Sequence, residues 1–305
     1  MTIDRLKELL SKAVEKTCDS DIGVVFSGGI DSTIIAVLAS KFSRVTAYTC
    51  GIKDSPDLEY VSRCENLNFD IRIIELYPEK IERSLAKIIR AINDTNPVKV
   101  SVEIPFYFAS KRAREDNLSV MLCGQGGDEL FGGYNRYLSF LPDYRRVEEI
   151  MERDVENIYI EQINKDISVC KENGIELRAP YMDEEFKNYA MEIPPRLKIH
   201  EVKNSPEFSC VDIIDGKRFI RKYILRKLGR ELGIPDSILN RKKKAVQYGS
   251  GTWKVLERLA RQKGYKKKAK AAERKDYVRM WLESIRNESG ESDYSTGTNR
   301  LDLKL

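Results

Sequence analysis

The chain contains a single histidine, His200, and no Cys-x-x-Cys pair. A histidine-based metal cage and a Ser-His-Asp triad are therefore poor expectations, and a lone histidine is ordinarily a packing residue. Six cysteines, Cys18, Cys50, Cys64, Cys123, Cys170 and Cys210, are dispersed along the chain, a pattern of neither a zinc site nor a disulfide scaffold. Several fall in apolar, strand-like runs, where buried reduced thiols are expected. No apolar run approaches the roughly 18 residues of a membrane span. The opening MTIDRLKELL lacks the basic-then-apolar layout of a signal peptide, so a cytoplasmic protein with no membrane partner is expected. Neither sign of charge dominates. With 53 Lys and Arg against 48 Asp and Glu, the excess of +5 suits an anionic substrate such as a nucleotide without pointing to nucleic acid. No internal repeat is present.

What remains is a chain of 305 residues, 41% hydrophobic and 33% charged, enough for a substantial globular core. Leu6, Leu9, Leu10, Ala13 and Val14 follow helical spacing. Apolar runs at Ile22–Phe26, Val45–Cys50, Ile71–Leu76 and Ser119–Cys123 read as strands. Between them, helices are expected from Asp31 through Leu38, at Leu58–Cys64, through Ile81 to Ile92, and from about Phe106 to Arg114. This alternation predicts an α/β fold, a parallel sheet with helices on both faces. Past about Leu141 strand signals fade, and Arg146–Leu259 reads as mostly helical. The predicted organisation is one domain over 1–262, with an α/β core over about 1–145 and a helical part over about 146–262. A basic, polar C-terminal tail is expected over 263–305, its final stretch NESGESDYSTGTNRLDLKL disordered or loosely attached.

The most informative stretch is Val24-Val25-Phe26-Ser27-Gly28-Gly29-Ile30-Asp31-Ser32-Thr33. A buried strand stops at Ser-Gly-Gly and a helix opens at once, so backbone N–H groups and a helix N-terminus converge on an anion site. The glycines permit close backbone approach. Ser27, Ser32 and Thr33 offer hydroxyls, and Asp31 could hold Mg²⁺ against phosphates. The Gly-Lys-Ser/Thr of a Walker A loop is missing, as is the dinucleotide-binding glycine fingerprint. A tight turn with an Asp cap is the plain alternative. A second glycine-rich loop, Gly124-Gln125-Gly126-Gly127-Asp128-Glu129-Leu130-Phe131-Gly132-Gly133-Tyr134, directly follows the strand ending at Cys123. In a parallel sheet, loops at strand C-terminal ends meet at one crevice, so Asp128 can supply a second carboxylate to the metal.

Ser27-Gly28-Gly29-Ile30-Asp31-Ser32 resembles the pyrophosphate loop of N-type ATP pyrophosphatases. The second loop resembles the GxGxDELFGGY signature of asparagine synthetases and their β-lactam relatives. Asp54-Ser55-Pro56-Asp57-Leu58, Glu176-Leu177-Arg178-Ala179-Pro180-Tyr181-Met182-Asp183, Lys222-Tyr223-Ile224-Leu225-Arg226, Ile234-Pro235, Arg241-Lys242-Lys243-Lys244 and Gly249-Ser250-Gly251 match further segments in the same order. The chain is identified as a member of the asparagine synthetase C-terminal domain family over roughly Leu6 to Trp253. That resemblance implies an adenine-nucleotide α-hydrolase-like fold, with ATP and Mg²⁺ as cofactors. It implies AMP- and pyrophosphate-forming activation of a carboxylate, then attack by ammonia or an amine. Ser27, Gly28, Gly29, Asp31, Ser32 and Gly124 would hold ATP and pyrophosphate, and Asp31 and Asp128 the metal. Lys243 would stabilise charge developing at the α-phosphate.

Other positions stay open. Glu176 is either an acid near the acceptor or a structural partner of Arg178, and Tyr134 either packs in the core or bonds the substrate. Gln125 stands where the family usually has Glu, and Ser101 where it usually has Arg four residues before a Pro, so the acceptor half of the site is expected to be altered. The family's N-terminal glutaminase domain is not expected here, since the phosphate loop at Ser27 comes only about two dozen residues in. The expected nitrogen source is free ammonia, another amine or a separate glutaminase subunit. A tRNA-modifying relative that adenylates a base carbonyl, or a non-catalytic nucleotide-binding paralogue, is the alternative. Lys263-Gly264-Tyr265-Lys266-Lys267-Lys268-Ala269-Lys270 offers nucleic acid a minor possible contact.

Overall fold

The computed structural model describes residues 2–62, 64, 67–203, 205–242 and 245–295, with side chains to residue 288. Its first half runs α1 (Thr2–Lys16), β1 (Asp21–Val25), α2 (Ile30–Ala39), β2 (Arg44–Ile52), α3 (Pro56–Val61), β3 (Asp70–Leu76), α4 (Pro78–Ile92), α5 (Pro97–Glu115) and β4 (Val120–Leu122). There follow α6 (Gly127–Phe131), α7 (Tyr144–Ile158), α8 (Asn164–Lys171), β5 (Glu176–Arg178), α9 (Glu184–Glu192) and α10 (Pro195–Lys198). The chain then forms β6 (Ile199–Glu201), β7 (Asp212–Ile214), β8 (Lys217–Arg221), α11 (Tyr223–Glu231) and α12 (Asp236–Leu239). It closes with α13 (Val246–Gly249), α14 (Thr252–Gln262), α15 (Tyr265–Ala271) and α16 (Tyr277–Ser295).

Five strands form one parallel sheet in the order β3-β2-β1-β4-β5. Side chains alternate across it, as the strand pleat requires. On β4 and the residue after it, Val120 and Leu122 enter the core beneath α1, α2 and α11, whereas Met121 and Cys123 enter the one beneath α4, α5, α14 and α16. Helices cover both faces, as the strand–helix alternation predicts. The order reverses direction between β1 and β4. A ligand crevice is expected outside the C-terminal ends of these two strands.

The helical reading of the second half needs one correction. Strands β6, β8 and β7 form a small antiparallel sheet. Its hairpin turns at Asp215-Gly216, both at positive φ. Asp-Gly between short apolar runs is a strong hairpin signal that was there to be read. The described part of the segment after residue 262, expected as a basic and polar tail, is helical, in α15 and α16. Val278, Trp281 and Leu282 of α16 are buried in the core beneath α4, α5 and α14, which anchors a stretch that composition alone makes look polar.

Helix α5 begins at Pro97 and contains Pro105. Proline has no N–H to give the carbonyl four residues earlier. That carbonyl, on Ser101, instead accepts the Thr252 hydroxyl of α14 at 2.7 Å. The interruption thereby becomes a tie between the two helices, and the helix starts earlier than Phe106.

Candidate active site

The loops after β1 and β4 meet at the sheet's topological switch. Gly28 has φ +68°, and a Cβ there would lie 2.9 Å from the Val61 side chain, so glycine suits both the turn and the space. Gly29 caps α2, whose first turn contains Asp31. The hydroxyl of Thr33 returns to the Gly29 carbonyl at 2.8 Å, and that of Ser32 to the same carbonyl at 3.3 Å. The second loop approaches so closely that a Cβ on Gly127 would lie 2.6 Å from Asp31 Oδ1.

Asp31 and Asp128 are joined by a residue the motif reading left without a role. Lys222 precedes α11 in the left-handed conformation, φ +56°, with its side chain 2% exposed. Its Nζ pairs with Asp31 Oδ2 and, at 2.6 Å, with Asp128 Oδ1. The left-handed turn is uncommon for a lysine and is sustained here by tertiary contacts. Arg221, immediately before it, forks onto Asp212 at 2.8 and 3.2 Å and donates to the Gly133 carbonyl at 2.6 Å. Arg226, one helical turn beyond Lys222, donates to the Arg221 and Leu239 carbonyls and to that of Arg241 at 3.3 Å. Burial lowers its pKa below the usual arginine value. A lysine and an arginine at i, i+4 among Ile224, Leu225 and Leu228 are a readable signal, because cations on an apolar helix face require partners.

Arg241 closes the opposite wall. It donates to the Ser27 carbonyl, pairs with the buried Asp57 and lies 4.1 Å from the Tyr60 ring centroid. The cleft is continuous from the apolar Val25, Phe26, Tyr48 and Cys50, past Ser27, Asp31 and Ser32, to Pro105, Phe106, Gly124 and Gln125. Lys242 and Val246 line its phosphate-loop end. Lys243 and Lys244 lie outside the described residues.

Asp31 Oδ1 is buried and has no hydrogen-bond partner among the described residues. An orphaned carboxylate oxygen beside a second carboxylate fits Mg²⁺, which takes few protein ligands and completes its shell with phosphate and water. Among the described residues no group of three or more His, Cys, Asp or Glu is placed to hold a metal ion.

Three expected site residues are placed elsewhere. Glu176 opens β5 opposite Val120, at the N-terminal end of the sheet and away from the crevice. It is exposed and bonded to Arg178 at 2.7 and 3.0 Å, which holds its carboxyl below the ordinary range, so the structural pairing applies. Ser101 is fully buried and donates to the Val98 carbonyl at 2.7 Å, so its hydroxyl is turned into its own helix. Tyr134 donates to Glu129 at 2.6 Å and packs against Tyr137, behind the carboxylates.

Gln125 does line the cleft, and its Nε2 donates to Asp166 at 2.7 Å. Asp166 and its neighbour Glu103 are fully buried. Burial first, and the charge of Asp166 second, push the Glu103 carboxyl well above the carboxylate range. A carboxyl raised on folding contributes most stability below its unfolded pKa and loses that contribution as pH rises through the folded value. Glu103→Gln is therefore expected to gain stability relative to the parent as pH rises from about 5 to about 8. Urea unfolding across that range checks it, and a parent that gains on the variant would mean an ionised, paired Glu103.

The asparagine synthase family model matches residues 5–141 and 139–296. A Methanocaldococcus jannaschii protein bearing a provisional name as glutamine-hydrolyzing asparagine synthetase 1 is 37% identical over 272 residues, covering 81% of this chain and 49% of that protein. The glutamine-hydrolyzing asparagine synthetase of Homo sapiens is 27% identical over 258 residues, covering 81% of this chain and 43% of that one. The chain thus spans about half the length of the curated relatives it matches. Among solved structures, the NMN synthetase from Francisella tularensis aligns over 99% of both chains at 12% identity, with a TM-score of 0.43. The two carboxylates converge from loops bearing the family's two signatures, and the family model covers most of the chain: it belongs to the asparagine synthase family.

Proposed function

We propose that this protein activates a carboxylate with ATP, forming an acyl-adenylate and pyrophosphate, and then passes the acyl group to ammonia or an amine. The observation that carries the reading is the convergence of Asp31 and Asp128 on buried Lys222 at the C-terminal edge of the parallel sheet. Adenine would lie in the apolar half of the cleft, against Phe26, Tyr48 and Cys50. Ser27, Gly28, Gly29 and Ser32 would receive the pyrophosphate at the start of α2. Asp31 and Asp128 would hold Mg²⁺, which supplies charge neutralisation of the phosphates when bound. Lys222 holds the two carboxylates in place before ATP arrives. Gly124 keeps the loop after β4 against Asp31, and Lys243 is the proposed cation for charge developing at the α-phosphate.

In the first step a carboxylate oxygen bonds to the α-phosphorus as the bridge to the β-phosphate breaks and pyrophosphate leaves. In the second, nitrogen bonds to the acyl carbon, AMP departs with the C–O electron pair, and the surplus proton leaves the nitrogen. The direct test is carboxylate-dependent exchange of labelled pyrophosphate into ATP, screened over candidate acids and followed by ammonium chloride to complete turnover. Exchange with at least one carboxylate is expected. Aspartate is expected to be a weak acceptor, because neither Gln125 nor Ser101 brings a charge to the cleft. No exchange with any acid would defeat the reading. One observation favours a second reading, adenylation of a base carbonyl in tRNA. Lys266, Lys267 and Lys270 of α15 are exposed, with no ion pair among the described residues. Exchange driven by tRNA instead of a carboxylate would select it.

A further inference from the structure

Behind the cleft wall at Gln125 lies a polar cluster that the two steps above do not use. Asp166 of α8 accepts Gln125 Nε2 on Oδ2 at 2.7 Å and Gln162 Nε2 on Oδ1 at 2.9 Å. Gln162 also reaches Glu103 Oε1 at 3.4 Å. It projects from a π-helical turn, Tyr159–Ile163, the kind of irregularity that re-aims side chains. Glu103 Oε2 is buried and lacks a partner if the carboxyl is ionised. Protonation removes that defect, because a Glu103 O–H can then donate to the neighbouring Asp166 carboxylate. Burial raises the Asp166 carboxyl as well, but the N–H donors of Gln162 and Gln125 on its two oxygens favour its ionised form over that of Glu103, so the pair's negative charge rests on Asp166. The groups facing it are the Cys123 and Cys170 thiols, kept neutral by burial, with Glu129 on the α6 side and Lys165 beside Asp166.

A carboxylate only accepts hydrogen bonds, so the NH₂ end of Gln125 must face Asp166. The carbonyl oxygen is then the polar atom that Gln125 can offer the cleft. Resting on the amidation reading, we propose that the Glu103–Asp166 pair is a positioning device that locks the Gln125 amide in this orientation, so that the nitrogen nucleophile is held as a neutral amine through an N–H···O=C hydrogen bond. An amide carbonyl accepts a hydrogen bond but does not take a proton at neutral pH. Ammonia must therefore arrive already deprotonated, and after C–N bond formation its surplus proton leaves to solvent or the departing AMP phosphate.

The test uses the full chain, the carboxylate found by the exchange screen, and ammonium chloride as nucleophile. Apparent KM for total ammonia is expected to fall about tenfold per pH unit in the neutral range, following the free base. In Asp166→Asn one carbonyl oxygen must serve the donors that two carboxylate oxygens served, which frees Gln125. This variant is expected to raise the ammonia KM about tenfold while leaving pyrophosphate exchange within about twofold. Should it fail to fold, Glu103→Ala serves instead. It is expected to raise the ammonia KM likewise, and Glu103→Gln, which can still donate to Asp166, should restore it. An unchanged ammonia KM, or an equal loss in exchange and in amidation, overturns the positioning role. Absence of exchange in the parent protein overturns the amidation reading, and this inference with it, whereas intact exchange with an unmoved ammonia KM sinks this inference alone.

Discussion

Lys222→Met is expected to lose both activity and a substantial part of the protein's stability. Lys222 is 2% exposed, and each of its carboxylate partners is 15% exposed. Methionine fills the same channel without a charge, and leaves Asp31 and Asp128 facing one another. Removing one member of a buried ion cluster costs about 3–5 kcal/mol, because the remaining charges lose compensation. The partial exposure of the carboxylates places this case near the lower end, about 3 kcal/mol. Pyrophosphate exchange should disappear, since the carboxylates are no longer held for the metal. A divalent cation can take the place of the ammonium, so millimolar Mg²⁺ should stabilise the variant more than the parent, by binding only the folded state. Urea unfolding with and without Mg²⁺ measures both effects. A variant as stable as the parent, or one indifferent to Mg²⁺, would show that Lys222 does not neutralise this pair.

Asp31→Asn should behave in the opposite way. An asparagine fits the site and can still accept from Lys222, whose charge is then matched by Asp128 alone. The ion cluster becomes neutral, and no loss of stability is expected. Turnover should nevertheless fall by about 10²-fold or more, the scale of removing one strong electrostatic stabiliser or metal ligand from a phosphoryl-transfer site. The fall should appear in pyrophosphate exchange, before nitrogen is involved. Together the two variants separate folding from chemistry: loss of the lysine damages both, and loss of the aspartate damages only the reaction. Retention of near-parental exchange in Asp31→Asn would remove the phosphate-loop assignment.

The same residues show how far one-dimensional patterns reach. The strand–helix alternation through Cys123 foretold the parallel sheet, because apolar periodicity follows directly from which face each element buries. The two glycine loops foretold the crevice, since Ser-Gly-Gly before a helix and Gly-rich residues after a strand restrict what the backbone can do locally. Their order, with the segments after them, was enough to indicate the family.

The pairing of charges was settled only by folding. Lys222 and Asp31 are 191 positions apart, and nothing near either residue specifies the other. Nothing near Glu103 in the sequence specifies Asp166, yet folding buries the two acids side by side, out of solvent. Glu176 matched a motif, but β5 runs parallel to β4 and carries it to the wrong end of the sheet. Ser101 fell at a substrate-side position, but its helical backbone turns the hydroxyl inward. Local conformations, and the residue types available to the site, follow from the order of residues alone. Which charges meet, and which are desolvated, depended on long-range packing, because Coulomb energy depends on distance and dielectric in three dimensions rather than on separation along the chain.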